Sequence, residues 1–144
     1  MKKYELTTET KIVYGKTLYR IRALKSFGLV KAGDLGGWIE KEENLAQEGE
    51  AWVSDNAWVS GNAWVYGNAW VSGNAWVFCD AQVSGNARVT GLARVSGDAQ
   101  MSGYARVTGH ARVSGDAQVS GYARVYGEAR GCNSRKRENS NEKI

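Results

Sequence analysis

The sequence predicts an all-β protein in which short strands stack into a three-sided parallel β-helix. Three observations carry this prediction. Alanine recurs at every sixth position from Ala51 to Ala129. Valine follows each alanine two residues later from Val53 to Val125, with Met101 as the one substitute. The residue between each Ala and Val tends to recur three units later, so the full repeat has 18 residues.

Each six-residue unit predicts one short strand followed by one tight turn. Ala and Val are two residues apart, so in an extended strand they point to the same side. Glycine stands at the fifth position of most units, often followed by Asn or Asp, and these residue types tolerate the positive φ of a tight turn. A strand this short cannot bury its apolar side alone, whereas stacked coils can.

The residue between each Ala and Val points outward and falls into one of three columns. We call these columns the first face (Trp52, Trp70, Arg88, Arg106, Arg124), the second face (Trp58, Trp76, Arg94, Arg112, Arg130) and the third face (Trp64, Gln82, Gln100, Gln118). Residues 88–105 and 106–123 are identical at all but two positions. Chance would not sort the columns by identity, so three units form one coil. The repeat then gives about four to five coils.

The remaining segments define the predicted domain organisation. Residues 1–43 do not repeat and predict a small N-terminal β cap, with a hairpin turn at Tyr14-Gly15-Lys16. The β-helix is predicted over residues 44–131, and its first unit is degenerate, with Leu45 in the alanine position and Gln47 in the valine position. Residues 132–144 are polar and are predicted to be a disordered tail. A cap is expected because solenoids must protect their terminal edges.

The Ala-Xaa-Val-Xaa-Gly-Asn unit resembles the hexapeptide-repeat family, whose fold is the left-handed parallel β-helix. The left hand is implied by this resemblance and not by the spacing. Residues 33–40 (Gly-Asp-Leu-Gly-Gly-Trp-Ile-Glu) and 43–50 (Glu-Asn-Leu-Ala-Gln-Glu-Gly-Glu) are similar to a group of largely uncharacterised bacterial and bacteriophage hexapeptide proteins. That resemblance implies a phage or prophage context in a bacterial cytoplasm.

Composition limits the functional classes. The net charge is a modest +4, and no apolar run is long enough to span a membrane, so no membrane partner is predicted. Two cysteines without a secretion signal indicate a reducing, cytoplasmic compartment. Cys79 and Cys132 would lie almost three coils apart, roughly 14 Å, which is too far for a disulfide. No metal site and no cofactor are predicted.

The tryptophans are the first candidate functional feature. They would form a girdle around the first coils that exceeds what a soluble monomer normally exposes. The cap would cover one face but hardly three, so the rest should be buried in a homo-oligomer, a trimer or a dimer, or serve as a docking surface for another protein. The interface candidates are Trp52, Trp58, Trp64, Trp70, Trp76 and Phe78.

The arginine columns are the second candidate, because like charges about 5 Å apart repel and need compensation. Asp98 and Asp116 would compensate the arginine charges internally, across the corner between faces. Alternatively, Tyr104 and Tyr122 would stack on the guanidinium groups. Alternatively an external anion, such as phosphate, a nucleotide or an acidic protein surface, would bind them. The candidates for anion or partner binding are Arg88, Arg94, Arg106, Arg112, Arg124, Tyr104, Tyr122 and His110.

The favoured function is a non-catalytic interaction protein that binds, and in a phage context inhibits, a host protein or defence system. A nucleotide or small-anion binder between subunits is the first alternative. An acyltransferase-like enzyme is the second, because the resembled family contains acyltransferases that use a histidine as general base. His110 is the only histidine, and its sister coil has Leu92 instead, so no catalytic residue is predicted. The third alternative is a structural solenoid that grows end to end.

Overall fold

The computed structural model of the protein describes residues 2–126 and the backbone of residues 130–132. Within these residues there is no α-helix, and the one regular helical turn is a 3-10 turn at Glu42–Asn44. The cap contains the strands β1 (Tyr4–Val13), β2 (Lys16–Ala23) and β3 (Leu35–Ile39). The predicted tail falls outside the described residues from position 133 onward.

The repeat forms strands of two or three residues separated by turns, as the six-residue unit predicts. These strands are β4 (Trp52–Val53), β5 (Trp58–Val59), β6 (Trp64–Val65), β7 (Trp70–Val71), β8 (Trp76–Val77), β9 (Gln82–Val83), β10 (Arg88–Val89), β11 (Arg94–Val95), β12 (Gln100–Met101), β13 (Arg106–Val107), β14 (Arg112–Ser114), β15 (Gln118–Val119), β16 (Arg124–Val125) and β17 (Arg130–Cys132).

Three sheets form the sides of the β-helix, and they are the three predicted faces. The first face is the sheet β4-β7-β10-β13-β16, and the third is β6-β9-β12-β15. The second face, β5-β8-β11-β14-β17, continues through β3 into the β2 and β1 strands of the cap. Every pair of rungs within the repeat is parallel, with a register of 18 residues, as in Arg88 opposite Arg106. The three-sided parallel β-helix is therefore confirmed.

The inside of the prism is filled by the repeated alanines and valines, as predicted. All of them between Ala51 and Val125 are buried, and Met101 takes a valine position with 1% exposure. Each buried valine side chain stabilises the fold by about 1.5–3 kcal/mol relative to an exposed one. Because the backbone of each coil donates hydrogen bonds to the carbonyls of the next coil, the stack also satisfies its backbone polar groups.

The turn positions explain the recurring glycine. Gly97 has a φ of +67°, and a Cβ atom there would lie 2.8 Å from the backbone nitrogen of Gly115 in the next coil. Both the left-handed backbone and the close approach of successive coils favour glycine. Asp55 and Cys79 stand in the same turn position with φ values of 59° and 64°, so these two residues adopt a conformation that is costly for an L-amino acid.

The cap is a three-stranded antiparallel arrangement whose last strand starts the stacking. β1 and β2 form a hairpin closed at Tyr14-Gly15, where both residues have positive φ, and this confirms the predicted turn. β3 pairs antiparallel with β2 and parallel with β5, which places Trp38 beside Trp58. Parallel stacking on the second face therefore begins before residue 44.

The first degenerate unit is shifted by two residues from the prediction, which places Leu45 in the alanine position and Gln47 in the valine position. Leu45 pairs with Val65, and the Ala46 N–H donates to the Val65 carbonyl, so Leu45 occupies the valine position and not the alanine position. The physical reason lies in the preceding residue. The Asn44 side chain, which is fully buried, donates from Nδ2 to the carbonyls of Gly61 and Ala63 and replaces the missing backbone donors of that rung.

Candidate functional site

The tryptophans point away from the prism, but the cap covers more of them than the sequence predicted. Trp52 is 2% exposed, because the rings of Tyr4 and Phe27 pack edge-on against it at centroid distances of 6.4 and 5.4 Å. Trp58 is 6% exposed and packs in a cluster with Leu18 and Trp38 of the cap. The expectation of an exposed girdle on three faces is therefore wrong for Trp52 and Trp58.

The remaining members of the girdle retain partial exposure. Trp70 is half-buried, and its indole N–H donates to the Ser54 hydroxyl at 3.2 Å. Trp76 is half-buried and stacks on Trp58 with ring centroids 4.7 Å apart. Phe78 is also half-buried, 6.0 Å from the Trp58 ring.

Trp64 is the most exposed tryptophan and lies on the third face. Its side chain is 42% exposed and stacks on the Tyr66 ring at a centroid distance of 3.9 Å. It lines an open groove of about 770 Å³ with Glu42, Glu43 and Glu48 of the first coil. This end of the third face is therefore acidic and aromatic, in contrast to the arginine-bearing faces.

The arginine columns form ladders on the first and second faces. Arg88 lies opposite Arg106, and Arg94 lies opposite Arg112, each on neighbouring parallel rungs. The structure gives no carboxylate of the described chain within ion-pair distance of these four arginines. The internal compensation by Asp98 and Asp116 is therefore not found at ion-pair distance.

Aromatic compensation is present, but at a different place from the predicted one. Tyr104 and Tyr122 stack on each other, with ring centroids 5.1 Å apart and planes only 4° from parallel. The Arg94 guanidinium lies over a ring of its own ladder, 4.0 Å above the centroid of Trp76. The junction of tryptophan and arginine on the second face is therefore held by a cation–π contact.

A cationic groove runs along the second face next to the cap. It has a volume of about 470 Å³ and is lined on the cap side by Lys11 and on the ladder side by Arg94, Arg112 and His110. The Lys11 ammonium lies 4.5 Å from the centroid of the Trp38 ring. Partial burial, followed by the charge of Arg20, lowers the pKa of Lys11. We call these four side chains the cationic groove.

The structure adds residues that sequence reasoning missed. Lys11 joins the groove only because the β1–β2 hairpin folds back beside the second face, and no periodicity marks that position. Asn74 lines the same groove two rungs before His110, with Leu92 on the rung between them. The described part of the chain contains no group of three metal-ligating side chains. It also contains no helix long and apolar enough to cross a membrane.

The parallel coils, the buried Ala and Val positions and the outward columns define a hexapeptide-repeat β-helix protein. The model of the YdcK β-solenoid repeat matches residues 51–67 and 81–97. A curated protein of Escherichia coli (strain K12), the uncharacterized acetyltransferase YdcK, is 50% identical over 38 residues. That match covers 26% of this chain and 12% of the relative, so the similarity concerns a short part of each protein.

Proposed function

We propose that the protein is a non-catalytic binding protein that holds an acidic surface of another protein against its arginine-bearing faces. The observation that carries this proposal is the pairing of Arg88 with Arg106 and of Arg94 with Arg112 on adjacent rungs, without a described carboxylate at ion-pair distance. Stacked like charges are unfavourable in the free protein, and an acidic partner relieves that repulsion.

The spacing of the ladders favours an acidic α-helix as the partner element. Successive rungs of a sheet are about 4.8 Å apart. Residues three or four apart on a helix have Cβ atoms about 5–6 Å apart, so their carboxylates can meet successive arginines. Arginine also donates two parallel hydrogen bonds to a carboxylate, which fixes the partner's orientation as well as its charge.

The rigidity of the prism supports binding by this surface. The backbones that carry the arginines are fixed by the parallel hydrogen bonds of the coils, so no loop must be ordered when the partner binds. Lys11 and His110 extend the cationic groove at the cap end and at the corner of the second face. The resemblance to phage proteins adds a corollary: the acidic partner is a host protein, and binding inhibits it. Oligomerisation through the exposed Trp64 is part of the same proposal.

A pair of designed helical peptides tests the proposal directly. One peptide carries glutamates at every fourth position, and its matched control carries glutamines there. Fluorescence anisotropy at low ionic strength should show binding of the glutamate peptide only. The double variant Arg94→Gln/Arg112→Gln should weaken that binding by roughly tenfold. The control variant Arg22→Gln removes an arginine from the cap and should leave the affinity within about twofold.

Two outcomes contradict the proposal. If this double variant and the corresponding first-face variant Arg88→Gln/Arg106→Gln both bind the glutamate peptide as tightly as the wild type does, the ladders are not the binding surface. If a single-stranded oligonucleotide or a nucleoside triphosphate binds more tightly than the peptide, and Arg94→Gln/Arg112→Gln abolishes that binding, the nucleotide-binding alternative replaces it. Capture from a bacterial lysate with wild-type and double-variant protein then identifies partners that depend on the ladders.

Acetyl transfer is the second candidate, favoured by one observation. His110 lies in the cationic groove with two arginines and Asn74, where a general base and an anionic coenzyme would be close together. The name of the E. coli relative supports this candidate only through the repeat. Release of free coenzyme A from acetyl-coenzyme A with wild-type protein, and its loss in His110→Ala, would favour it over the non-catalytic proposal.

A further inference from the structure

A second cavity lies between the tip of the β1–β2 hairpin and the second face, on the other flank of the Trp58–Trp76 pair from the cationic groove. We call it the hairpin cleft. Its volume is about 300 Å³, and its walls are mainly apolar, with Leu18, Trp58, Trp76 and Phe78 contributing the largest side chains. Enclosed apolar cavities of this size that have few polar groups are typical small-molecule sites.

The cleft exists because two residues break the repeat at one rung. Phe78 and Cys79 stand where neighbouring coils have Ser60-Gly61, Ser96-Gly97 and Ser114-Gly115. The large Phe78 ring forms a wall one rung beyond the small Ser60, and the space over Ser60 stays open. The hairpin tip closes it from above, because the Tyr14 ring packs edge-on against Trp76 with centroids 5.8 Å apart.

Two polar side chains give the cleft a chemical preference. Ser60 is 2% exposed and lines the cleft, yet its hydroxyl makes no hydrogen bond to any residue that the structure describes. Lys16 also lines the cleft, and its ammonium lies 3.9 Å from the Glu40 carboxylate, at the limit of an ion pair. The same Glu40 oxygen accepts a 2.7 Å hydrogen bond from the Gly61 N–H. Lys16 is therefore only loosely paired.

We propose that the hairpin cleft binds a small aromatic acid. The flat ring system of the ligand packs between the aromatic walls, where it replaces water over the tilted Trp58–Trp76 pair. Its anionic group lies at the mouth against the Lys16 ammonium, and the Ser60 hydroxyl donates a hydrogen bond to an oxygen of the same ligand. The cleft volume of about 300 Å³ lies at the lower end of the range of small-molecule sites.

This site is separate from the proposed function. Neither Arg94 nor Arg112 lines the hairpin cleft, and the cationic groove contains neither Ser60 nor Lys16. Binding in the cleft would pin the hairpin tip to the second face, because Tyr14 and Lys16 come from the hairpin and Trp76 and Phe78 come from the prism.

The test uses the full chain and anilinonaphthalene sulfonate, an aromatic anion whose fluorescence increases in apolar sites. The wild type should bind it saturably. Ser60→Phe, which fills the cleft with the side chain present one rung away at Phe78, should abolish that signal. Ser114→Phe places the same bulk in the same column, two rungs beyond Phe78, and should bind as the wild type does. Circular dichroism of each variant confirms that the fold is retained.

Two further measurements keep the proposal falsifiable if Ser60→Phe fails to fold. Lys16→Met should weaken binding of the sulfonate by roughly threefold and leave binding of the neutral analogue, N-phenylnaphthylamine, unchanged. Cys79 is an exposed free thiol on the cleft wall. In a Cys132→Ser background, the bound probe should slow the reaction of Cys79 with a maleimide by at least about fivefold.

Four results would overturn the proposal. The first is an absence of saturable binding by the wild type. The second is equal binding by wild-type protein and by folded Ser60→Phe. The third is a probe signal that survives Ser60→Phe but disappears in Arg94→Gln/Arg112→Gln, because the sulfonate would then occupy the cationic groove. Unchanged maleimide reactivity of Cys79 at saturating probe would likewise contradict it.

Discussion

The Lys3 ammonium donates a 2.7 Å hydrogen bond to the carbonyl oxygen of Ala51. Ala51 precedes the first strand of the first face, so no earlier strand of that face donates to its carbonyl. Its Nζ atom also lies 3.4 Å from the Gly49 carbonyl oxygen and 5.0 Å from the centroid of the Phe27 ring. Lys3 is fully buried. The Lys3 side chain therefore supplies hydrogen-bond donors to the first rung of the first face. On the second face, the backbone of β3 supplies the corresponding donors.

Replacing Lys3 with methionine should destabilise the protein by about 1–3 kcal/mol at pH 7, because the Ala51 carbonyl then stays buried without a donor. Methionine keeps a similar chain length, so the loss reports the hydrogen bonds more than the packing. Urea denaturation measures the change. Lys31→Met removes an exposed lysine and should have an effect within about 0.5 kcal/mol. Equal losses in the two variants would contradict this role for Lys3.

The stability contributed by Lys3 should depend on pH. Burial, and then the charge of Lys25, lowers the pKa of Lys3 to about 8 from 10.5. Between these values the unfolded chain binds a proton that the folded chain has released, so the free energy of unfolding rises with pH in this window. The wild type should therefore become more stable from pH 7.5 to 9.5 relative to Lys3→Met. Parallel pH curves for the two proteins would show that titration of Lys3 is not the cause.

Asn44 supplies the corresponding hydrogen bonds on the third face, and its replacement should destabilise the protein to a similar degree. Its side-chain oxygen accepts hydrogen bonds from the Glu40 and Lys41 N–H groups, and its nitrogen donates to two carbonyls of the next coil. Asn44→Ala leaves the Lys41 N–H and the two carbonyls without a partner, whereas the Glu40 N–H still donates to the Val59 carbonyl, and the substitution should destabilise the protein by about 2–4 kcal/mol, measured by urea denaturation. Asn86→Ala, at an exposed corner of the repeat, should change stability by less than about 0.5 kcal/mol.

The prism itself could be predicted from the sequence because its contacts repeat. The 18-residue identity fixes which rungs are neighbours, and period-two alternation fixes which side chains point inward, so the register of Arg94 with Arg112 follows directly. The left hand came from resemblance, since the six-residue spacing fits either hand. Leu45 was misplaced because the unit before it contains the 3-10 turn, which shifts the strand relative to the repeat.

The cap and the candidate sites were less predictable, because they depend on contacts between segments that do not repeat. Lys3 meets Ala51 across 48 residues, and no pattern in the first segment indicates that contact. The same fold-back buries Trp52 and Trp58 and brings Lys11 beside the arginine ladder. The break at Phe78-Cys79 was visible in the sequence, but the opposite wall of the hairpin cleft comes from Tyr14, in the non-repeating cap.

The close approach of coils at the corners predicts a large cost for Gly97→Ala. The new Cβ would meet the Gly115 backbone at 2.8 Å, and alanine would also have to adopt a φ of +67°. Gly15→Ala must adopt a positive φ as well, at +79°, but meets nothing within 4 Å. Gly15→Ala should therefore cost about 1–2 kcal/mol, and Gly97→Ala should cost at least about 2 kcal/mol more. Thermal denaturation of both variants measures the difference, and equal losses would show that the coils separate without penalty.

The ladder on the first face predicts a stabilising substitution whose effect depends on salt. Arg106 lies opposite Arg88 on the neighbouring rung, and two unit charges about 5 Å apart in water repel by about 0.8 kcal/mol without salt. Arg106→Gln, which copies the side chain of the third face, should therefore raise the free energy of unfolding by about 0.5–1 kcal/mol at low ionic strength. The gain should disappear in about 1 M salt, where the screening length falls to about 3 Å. Arg22→Gln removes an arginine that is paired with Glu5, so it should lower stability slightly at low salt instead. A gain for Arg106→Gln that persists in high salt would show that helpful contacts of glutamine, and not relief of repulsion, are responsible.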